Sequence, residues 1–414
     1  MHILVANKIY PPIVAGGAEL IVSYLCEELV TRGHRVTVVS TCGPEMEPYP
    51  VEHRNGVESI RFFPDNLYWN YARGISPREA HSNSMLGAAR AGLRTARWHL
   101  KDAWNRDAGR RLSIILAEAC PDLLHTHLLD GLSASVWRAA KRRRMPVVHT
   151  AHDYHLLCPR AFLLDRSWKI CTHPTLACRT YRGWHLRTTS EVDLFTSPSR
   201  FLLDLHLAAG LRSQATAVVA NGIPLPRTGR QRRQGPRNRF VMMTRLTVEK
   251  GIRVVLEALT RVPDLDVTVA IAGGGPLDQE LREAAARDSR IQVLGFVDGE
   301  AKQAALEWAD HLILPSLWYE NAPTVILEAA AYGLTLIGSR IGGIPEFVQE
   351  GKTGLLFPPG DADGLSAAMQ LAINDTEMAD GLPGCGAVLA DAHSVPRMAD
   401  AYLEHYERLL ARMN

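Results

Sequence analysis

Two glutamates stand eight positions apart in the stretch YENAPTVILEAAAYG, which begins at Tyr319: Glu320 precedes an apolar run and Glu328 lies inside it. HLILPS, just upstream, reads as a buried strand. The helix after it is predicted to begin near Asn321 to Pro323, because proline's missing N–H costs nothing in a first helical turn. Backbone N–H groups around Ala322, Pro323, Thr324 and Val325 then lack intrahelical partners and can take an anion. At about 1.5 Å per residue the two carboxylates are roughly 12 Å apart along the axis, too far to share a proton. That separation suits two ends of one extended ligand: a sugar at Glu320, a diphosphate at the helix start, a ribose at Glu328. A surface helix would also carry a glutamate at 328. The apolar neighbours of Glu328 instead predict a largely buried helix, where an unpaired carboxylate is costly. Glu328 is therefore expected to be the more buried of the two.

Positive charge stands in TRLTVEKGI, directly after a strand ending at Thr244. Arg245 and Lys250 flank a short loop that leads into a helix. An arginine can fork across phosphate oxygens and a lysine acts as a point charge, so the two together suit a diphosphate. Either one alone is ordinary loop charge. Gly16 and Gly17, in IYPPIVAGGAEL, sit just before a helix expected from near Ala18. Glycines there let the backbone approach an anion at a helix start, although the pattern is not GxGxxG and a plain turn fits it as well. Gly273 to Gly275 in IAGGGPL raise the same two readings. The DxD-like string PDLDVT, with Asp264 and Asp266, precedes a strand and reads as a turn rather than a metal site.

The elements that must position these groups alternate. HILVA, RVTVVST, LLHTH, PVVHTAHD, LFTSPS and ATAVVAN read as strands in the first half, and RFVMMTR, VTVAIAGGG, IQVLGF, HLILPS and LTLIGS in the second, with helical stretches between. That rhythm predicts an α/β protein with parallel sheets. A chain of 414 residues exceeds one ordinary core. Two doubly wound, Rossmann-like domains are expected: residues 1–223 together with a C-terminal helix at about 397–414, and residues 236–396. The Pro-, Gly- and Arg-rich stretch at about 224–235 would link them. The default ligand site is the crevice at the carboxyl ends of the strands. The composition is 46% hydrophobic and 22% charged with a net charge of +2, which argues against a dedicated nucleic-acid binder. No segment reaches bilayer-crossing length, the N-terminus does not read as a signal peptide, and seven cysteines do not suggest a disulfide framework; a cytoplasmic setting fits.

Two inserts break the alternation. If residues 86–106 are helical, Arg90, Arg94, Arg97 and Lys101 share one face. That face is either solvated surface or a patch for peripheral contact with anionic lipid at the inner face of the membrane, or with a phosphorylated acceptor. The second insert carries Cys158, Cys171 and Cys178, with His155, His173 and His185 nearby. Three thiolates and an imidazole could close a structural zinc site. The loose spacing equally fits reduced thiols, or a disulfide.

Taken together, ENAPTVILE, TRLTVEKG, IYPPIVAGGAE and GSRIGGIPEFVQEGKTGLLFPPGD resemble, in order and over nearly the whole chain, the retaining glycosyltransferases of family 4. The resemblance implies a GT-B fold with two domains facing a cleft, and transfer of a sugar from a nucleoside-diphosphate sugar to a glycan, lipid-linked or small-molecule acceptor. It implies that Arg245 and Lys250 bind the diphosphate, that Glu320 contacts the transferred sugar and that Glu328 binds the ribose. Gly16 and Gly17 would approach the donor phosphate. Phe296 and Val297, in LGFVDG, resemble the segment that reads the base. His152, in VVHTAHDYH, looks like the family's active-site histidine, with His149 competing for the assignment; Arg200 stands where the first domain meets the ligand. No catalytic metal is implied. A GT-B-like sugar-nucleotide epimerase or hydrolase, or a non-catalytic nucleotide-sugar-binding protein, are the alternatives.

Overall fold

Runs of Val, Ile and Leu that are apolar at almost every position can bury both faces of a strand, which selects parallel sheets covered by helices. The computed structural model, which describes residues 1–14, 16–46, 50–64, 97, 99–224, 237–374, 389 and 391–413, contains two such sheets. The first is formed by β1 (His2–Ala6), β2 (Arg35–Thr41), β3 (Glu52–Arg54), β4 (Val57–Phe62), β5 (Leu123–Thr126), β6 (Val147–Thr150), β7 (Leu194–Ser197) and β8 (Ala215–Val218). Their order is β3-β4-β2-β1-β5-β6-β7-β8, parallel throughout except for the β3–β4 hairpin. Helices α1 (Gly17–Thr31), α2 (Arg106–Ala119), α3 (Ser135–Lys141), α4 (Leu176–Thr188) and α5 (Arg200–Ala208) connect them.

The second sheet is formed by β9 (Arg239–Met243), β10 (Thr268–Ala272), β11 (Ile291–Gly295), β12 (His311–Leu314), β13 (Thr335–Ser339) and β14 (Gly354–Phe357), in the order β11-β10-β9-β12-β13-β14 and wholly parallel. Its helices are α6 (Ile252–Arg261), α7 (Asp278–Ala285), α8 (Gly299–Trp308), α9 (Thr324–Ala331) and α10 (Ala362–Asn374). Phe240, Met242, Ile271, Ile313 and Leu365 are fully buried in its core, each worth about 1.5–3 kcal/mol. In both sheets the strand order reverses beside the first strand: β1 lies between β2 and β5, and β9 between β10 and β12. Open α/β sheets take their ligands outside the carboxyl ends of the strands at such a reversal.

The chain divides into two compact units, Met1–Leu163 with His173–Gly222 and Met398–Asn414, and Leu164–Thr172 with Ile223–Arg397. The expected linker at about 224–235 falls, but for residue 224, outside the described residues. The last helix, α11 (Val395–Ala411), buries Met398, Ala399, Tyr402 and Tyr406. Its two tyrosines reach the first sheet: Tyr406 OH lies 2.6 Å from His125 Nδ1, and Tyr402 OH 2.8 Å from Thr150 Oγ1.

Three elements differ from the sequence reading. The hairpin β3–β4 turns at Asn55 and Gly56, both at positive φ (50° and 78°), the Asn-Gly pair that a two-residue hairpin turn requires. The edge strand β14 was not foreseen either. A helix running unbroken to residue 106 is also wrong. Helical residues end at Ala103, and Asn105 caps a new helix by accepting from Ala108 N–H at 3.2 Å. Of the proposed basic face, Arg90 and Arg94 lie outside the described residues, Arg97 is exposed and Lys101 is half-buried.

Candidate active site

Thr247 Oγ1 donates to Glu249 Oε1 at 2.7 Å, starting one tight turn over Val248–Lys250 after β9. The turn ends at Gly251, whose φ is 76°. A Cβ on Gly251 would stand 1.8 Å from the Pro315 carbonyl oxygen, and Leu317 N–H donates to Glu249 O at 2.8 Å. The loop after β9 is thereby laid against the loop after β12. Gly251→Ala is expected to lower the melting temperature, with backbone strain alone costing about 1–3 kcal/mol. A variant that melts like the wild type would show that the two loops are not held this tightly.

This contact brings together groups that are far apart in sequence. Lys250 Nζ lies 2.7 Å from Glu320 Oε1 and 4.7 Å from the centre of the Trp318 ring. Ser316 Oγ (2.7 Å) and Trp318 Nε1 (2.8 Å) donate to the same oxygen. All three donors meet Oε1, while Oε2 receives none from the described residues. Burial by itself would raise the Glu320 pKa; the Lys250 charge and the hydrogen bonds from Lys250, Ser316 and Trp318 outweigh it and hold the carboxyl below its ordinary value. Gly342, at φ 61°, lies against the Glu320 backbone, where a Cβ would come within 2.4 Å of the carbonyl oxygen, and Gly343 N–H donates to that oxygen at 2.7 Å. Arg245 is exposed at the start of the loop.

Helix α9 starts at Thr324, so Asn321 and Ala322 belong to the loop and Pro323 occupies the capping position rather than the first turn. No side chain caps this end, which leaves first-turn N–H groups for an anion. The expected burial of the two glutamates is reversed: the Glu320 side chain is 8% exposed and that of Glu328 is 23% exposed. The reason is position, since Glu320 lies inside the clasped loops and Glu328 on the half-covered side of α9. Glu328 Oε1 accepts from Lys302 Nζ on α8 at 2.6 Å, and its Oε2 is buried without a partner among the described residues. Lys302 was missed because nothing in its own sequence neighbourhood signals a partner on another helix. Phe296, just past β11, is 80% exposed, and Val297 beside it is half-buried.

In the first unit Gly16, in extended backbone, caps α1 without a side-chain bond, and Gly17 is its first residue. Glu19 stands in that first turn and is buried. A carboxylate there complements the helix's positive end, so the loop is less purely an anion cradle than its glycines suggest. His149 is a core residue, packed between Trp137 and Phe195 with Nδ1 2.9 Å from Thr126 Oγ1. His152 is half-buried, with Nε2 3.0 Å from His127 Nδ1, and burial lowers its pKa to about 4. Arg200 opens α5 and is exposed. Cys158, Cys171 and Cys178 are half-buried free thiols, and among the described residues no three His, Cys, Asp or Glu are gathered as metal ligands. Among the described residues no helix is long and apolar enough to cross a membrane.

Two doubly wound parallel sheets, one carrying a clasped lysine–glutamate pair at its strand-order reversal, define an α/β protein of the GT-B fold. The chain belongs to glycosyltransferase family 4: that family's model matches residues 15–227, and the model for glycosyl transferases group 1 matches residues 237–375. Its activity class is accordingly glycosyl transfer. It is 30% identical over 399 residues to a glycogen synthase of Mycobacterium tuberculosis, covering 91% of this chain and 86% of that one. It is 29% identical over 354 residues to an uncharacterised 42.6 kDa protein of the cps region in Klebsiella pneumoniae, covering 84% and 87%. Among solved structures, Anabaena HepE in complex with UDP shares the fold with a TM-score of 0.70 at 18% identity, covering 99% of this chain and 100% of that one. Sucrose-phosphate synthase from Thermosynechococcus elongatus does so with a TM-score of 0.73 at 19% identity, covering 99% of each chain.

Proposed function

We propose that the protein is a retaining glycosyltransferase that moves a sugar from a nucleoside-diphosphate sugar to a hydroxyl of a glycan, lipid-linked or small-molecule acceptor. The observation that carries this is the Glu320 carboxylate, with three donors on Oε1 and Oε2 left for a ligand hydroxyl, beside an ammonium at a sheet's reversal point. Lys250 has three N–H donors and gives one to Glu320; the others, with Arg245 and the uncapped start of α9, serve the diphosphate. The orphaned Glu328 Oε2 supports a ribose contact, and the exposed Phe296 with Val297 a base contact. His152, neutral at pH 7, serves the transferred sugar, and Gly16 and Gly17 the donor phosphate.

In the reaction the sugar C1–O bond to the diphosphate breaks, and its electron pair leaves with the phosphate. Fixed cations and helix N–H groups stabilise that charge as it develops. The acceptor oxygen bonds C1 from the same face, and its proton passes to the departing phosphate oxygen. Configuration is retained, and no separate base is required. Lys250, Arg245 and the α9 start supply positive charge, so turnover is expected to survive EDTA; complete loss restored by magnesium or manganese would overturn that reading.

Product analysis with a panel of nucleotide sugars and acceptors tests the function. UDP-sugars come first, because HepE has been solved with UDP and with UDP-glucose. The expected result is an acceptor-dependent product whose anomeric configuration matches the donor. An inverted product would sink the retaining mechanism, and turnover without acceptor would favour an epimerase or hydrolase.

A further inference from the structure

Helices α2 and α3 approach closely at one end, where a Cβ on Gly109 would lie 3.1 Å from the Ser135 side chain and Ser135 Oγ donates to Asn105 O at 2.5 Å. Arg143 ties the far end by donating to Ser113 O at 3.2 Å. Along this helix pair lies a cavity of about 540 Å³, lined by Arg106 and Arg110 from α2, by Arg138 and Arg142 from α3 and the residue after it, and by Trp104. Two of the arginines are compensated: Arg110 meets Asp107 at 2.8 Å and Arg138 meets Glu191 at 2.7 Å. Arg106 and Arg142, on opposite walls, have no carboxylate partner among the described residues. Trp104 is held edge-on against Trp184 (6.0 Å, 81°), whose indole N–H donates to Ala103 O at 3.2 Å.

We propose that this groove is a binding site for a phosphate-bearing ligand, separate from the glycosyl-transfer residues. Guanidinium groups on two walls of one cavity match phosphate oxygens in charge and donor chemistry, because each can fork across two of them. The cavity has more room than a diphosphate needs, and the indole of Trp104 offers an apolar face to whatever the phosphate carries. A concave, two-walled site favours a discrete phosphate group over a flat lipid surface. The inference does not depend on the proposed donor chemistry, since it concerns equilibrium binding by other residues.

The test is calorimetric titration of the full chain with inorganic pyrophosphate at low salt. The wild type is expected to show one more binding event than Arg106→Gln/Arg142→Gln; any binding at the donor site is common to both. Loss of two charge-assisted contacts should weaken the extra event roughly a hundredfold, and Arg106→Lys/Arg142→Lys, which keeps the charge but not the fork, should fall between. Matching melting curves exclude misfolding at these exposed positions. Identical isotherms for wild type and the glutamine variant would overturn the proposal. Sedimentation with phosphatidylglycerol vesicles separates the sources. Pelleting that pyrophosphate reverses supports a lipid headgroup as the ligand, and absence of pelleting with pyrophosphate bound supports a soluble phosphate. Pelleting that pyrophosphate does not reverse identifies a flat membrane-binding face and rejects the groove as a phosphate site.

Discussion

Lys250→Ala is expected to lower kcat/KM at least a hundredfold and also to destabilise the second unit by about 3 kcal/mol. The two effects share one cause. The Lys250 and Glu320 side chains are 12% and 8% exposed, and removing one partner of a largely buried pair leaves the other charge uncompensated, at about 3–5 kcal/mol. Burial then dominates the Glu320 carboxyl and drives its pKa upward from its depressed value. Glu320→Gln should lower kcat by a comparable factor, because its contact strengthens as the sugar gains charge on the way to the transition state. The double variant Lys250→Ala/Glu320→Gln should recover most of the lost stability, since no buried charge is left alone, yet stay inactive. Glu328→Gln should differ from all of these by mainly raising the donor KM, since a ribose contact is the same before and during reaction. Steady-state kinetics and chemical denaturation of the four variants provide the measurement. A double variant that stays as unstable as Lys250→Ala, or a Glu328→Gln whose loss falls on kcat, would refute this division of labour.

Acid should unfold the first unit well before carboxylates matter. His125, His127, His149, His152, His185 and His206 all have pKa values pushed down, by burial first of all; His125 falls to about 3, and His152 and His206 to about 4. Each stays neutral in the folded protein while the unfolded chain takes up a proton below about pH 6.5. Stability is therefore whole above pH 6.5 and is lost as the pH falls towards 4. Each imidazole contributes up to about 1.4 kcal/mol per pH unit in that window. The five buried ones, His125, His127, His149, His185 and His206, make one unit of pH comparable to the whole stability of a domain, about 5–15 kcal/mol. Asp153 works in the opposite direction, because burial and the neighbouring Asp130 raise its pKa to about 6, but it is a single group. The depressed Glu320 carboxyl acts only at lower pH: its contribution is complete above its unfolded value and lost as the pH falls below about 4.5. Melting temperature should drop by more than about 10 °C between pH 7.5 and pH 5.5, and His206→Leu, which removes a buried imidazole whose Nε2 has no partner among the described residues, should shallow that drop. A flat profile over this range would show that the imidazoles are not held neutral.

The sequence by itself determined the architecture and which charged groups stand at the strand ends. Both halves announce themselves through short runs rich in Val, Ile and Leu that a covered parallel sheet can bury, and eleven of the fourteen strands among the described residues fall on such runs. Arg245, Lys250 and Glu320 stand in loops directly after such runs, so their place at the carboxyl ends was legible from local pattern alone. The Asn55-Gly56 turn was legible too, but its flanking strands are short and polar, and it was passed over. What only the tertiary structure decided is pairing. Lys250 and Glu320 meet because β9 and β12 are neighbours in the sheet, a consequence of strand order that no window along the chain contains. Burial of the two glutamates came out reversed for the same reason: it depends on which loops and helices pack against them, Gly342 and the β9 loop over Glu320, and α8 with Lys302 beside Glu328. Among the histidines, sequence pattern singled out His149, His152 and His185 by their neighbours; only the fold shows that His125, His127, His149, His185 and His206 are buried and His152 half-buried, and that burial lowers their pKa.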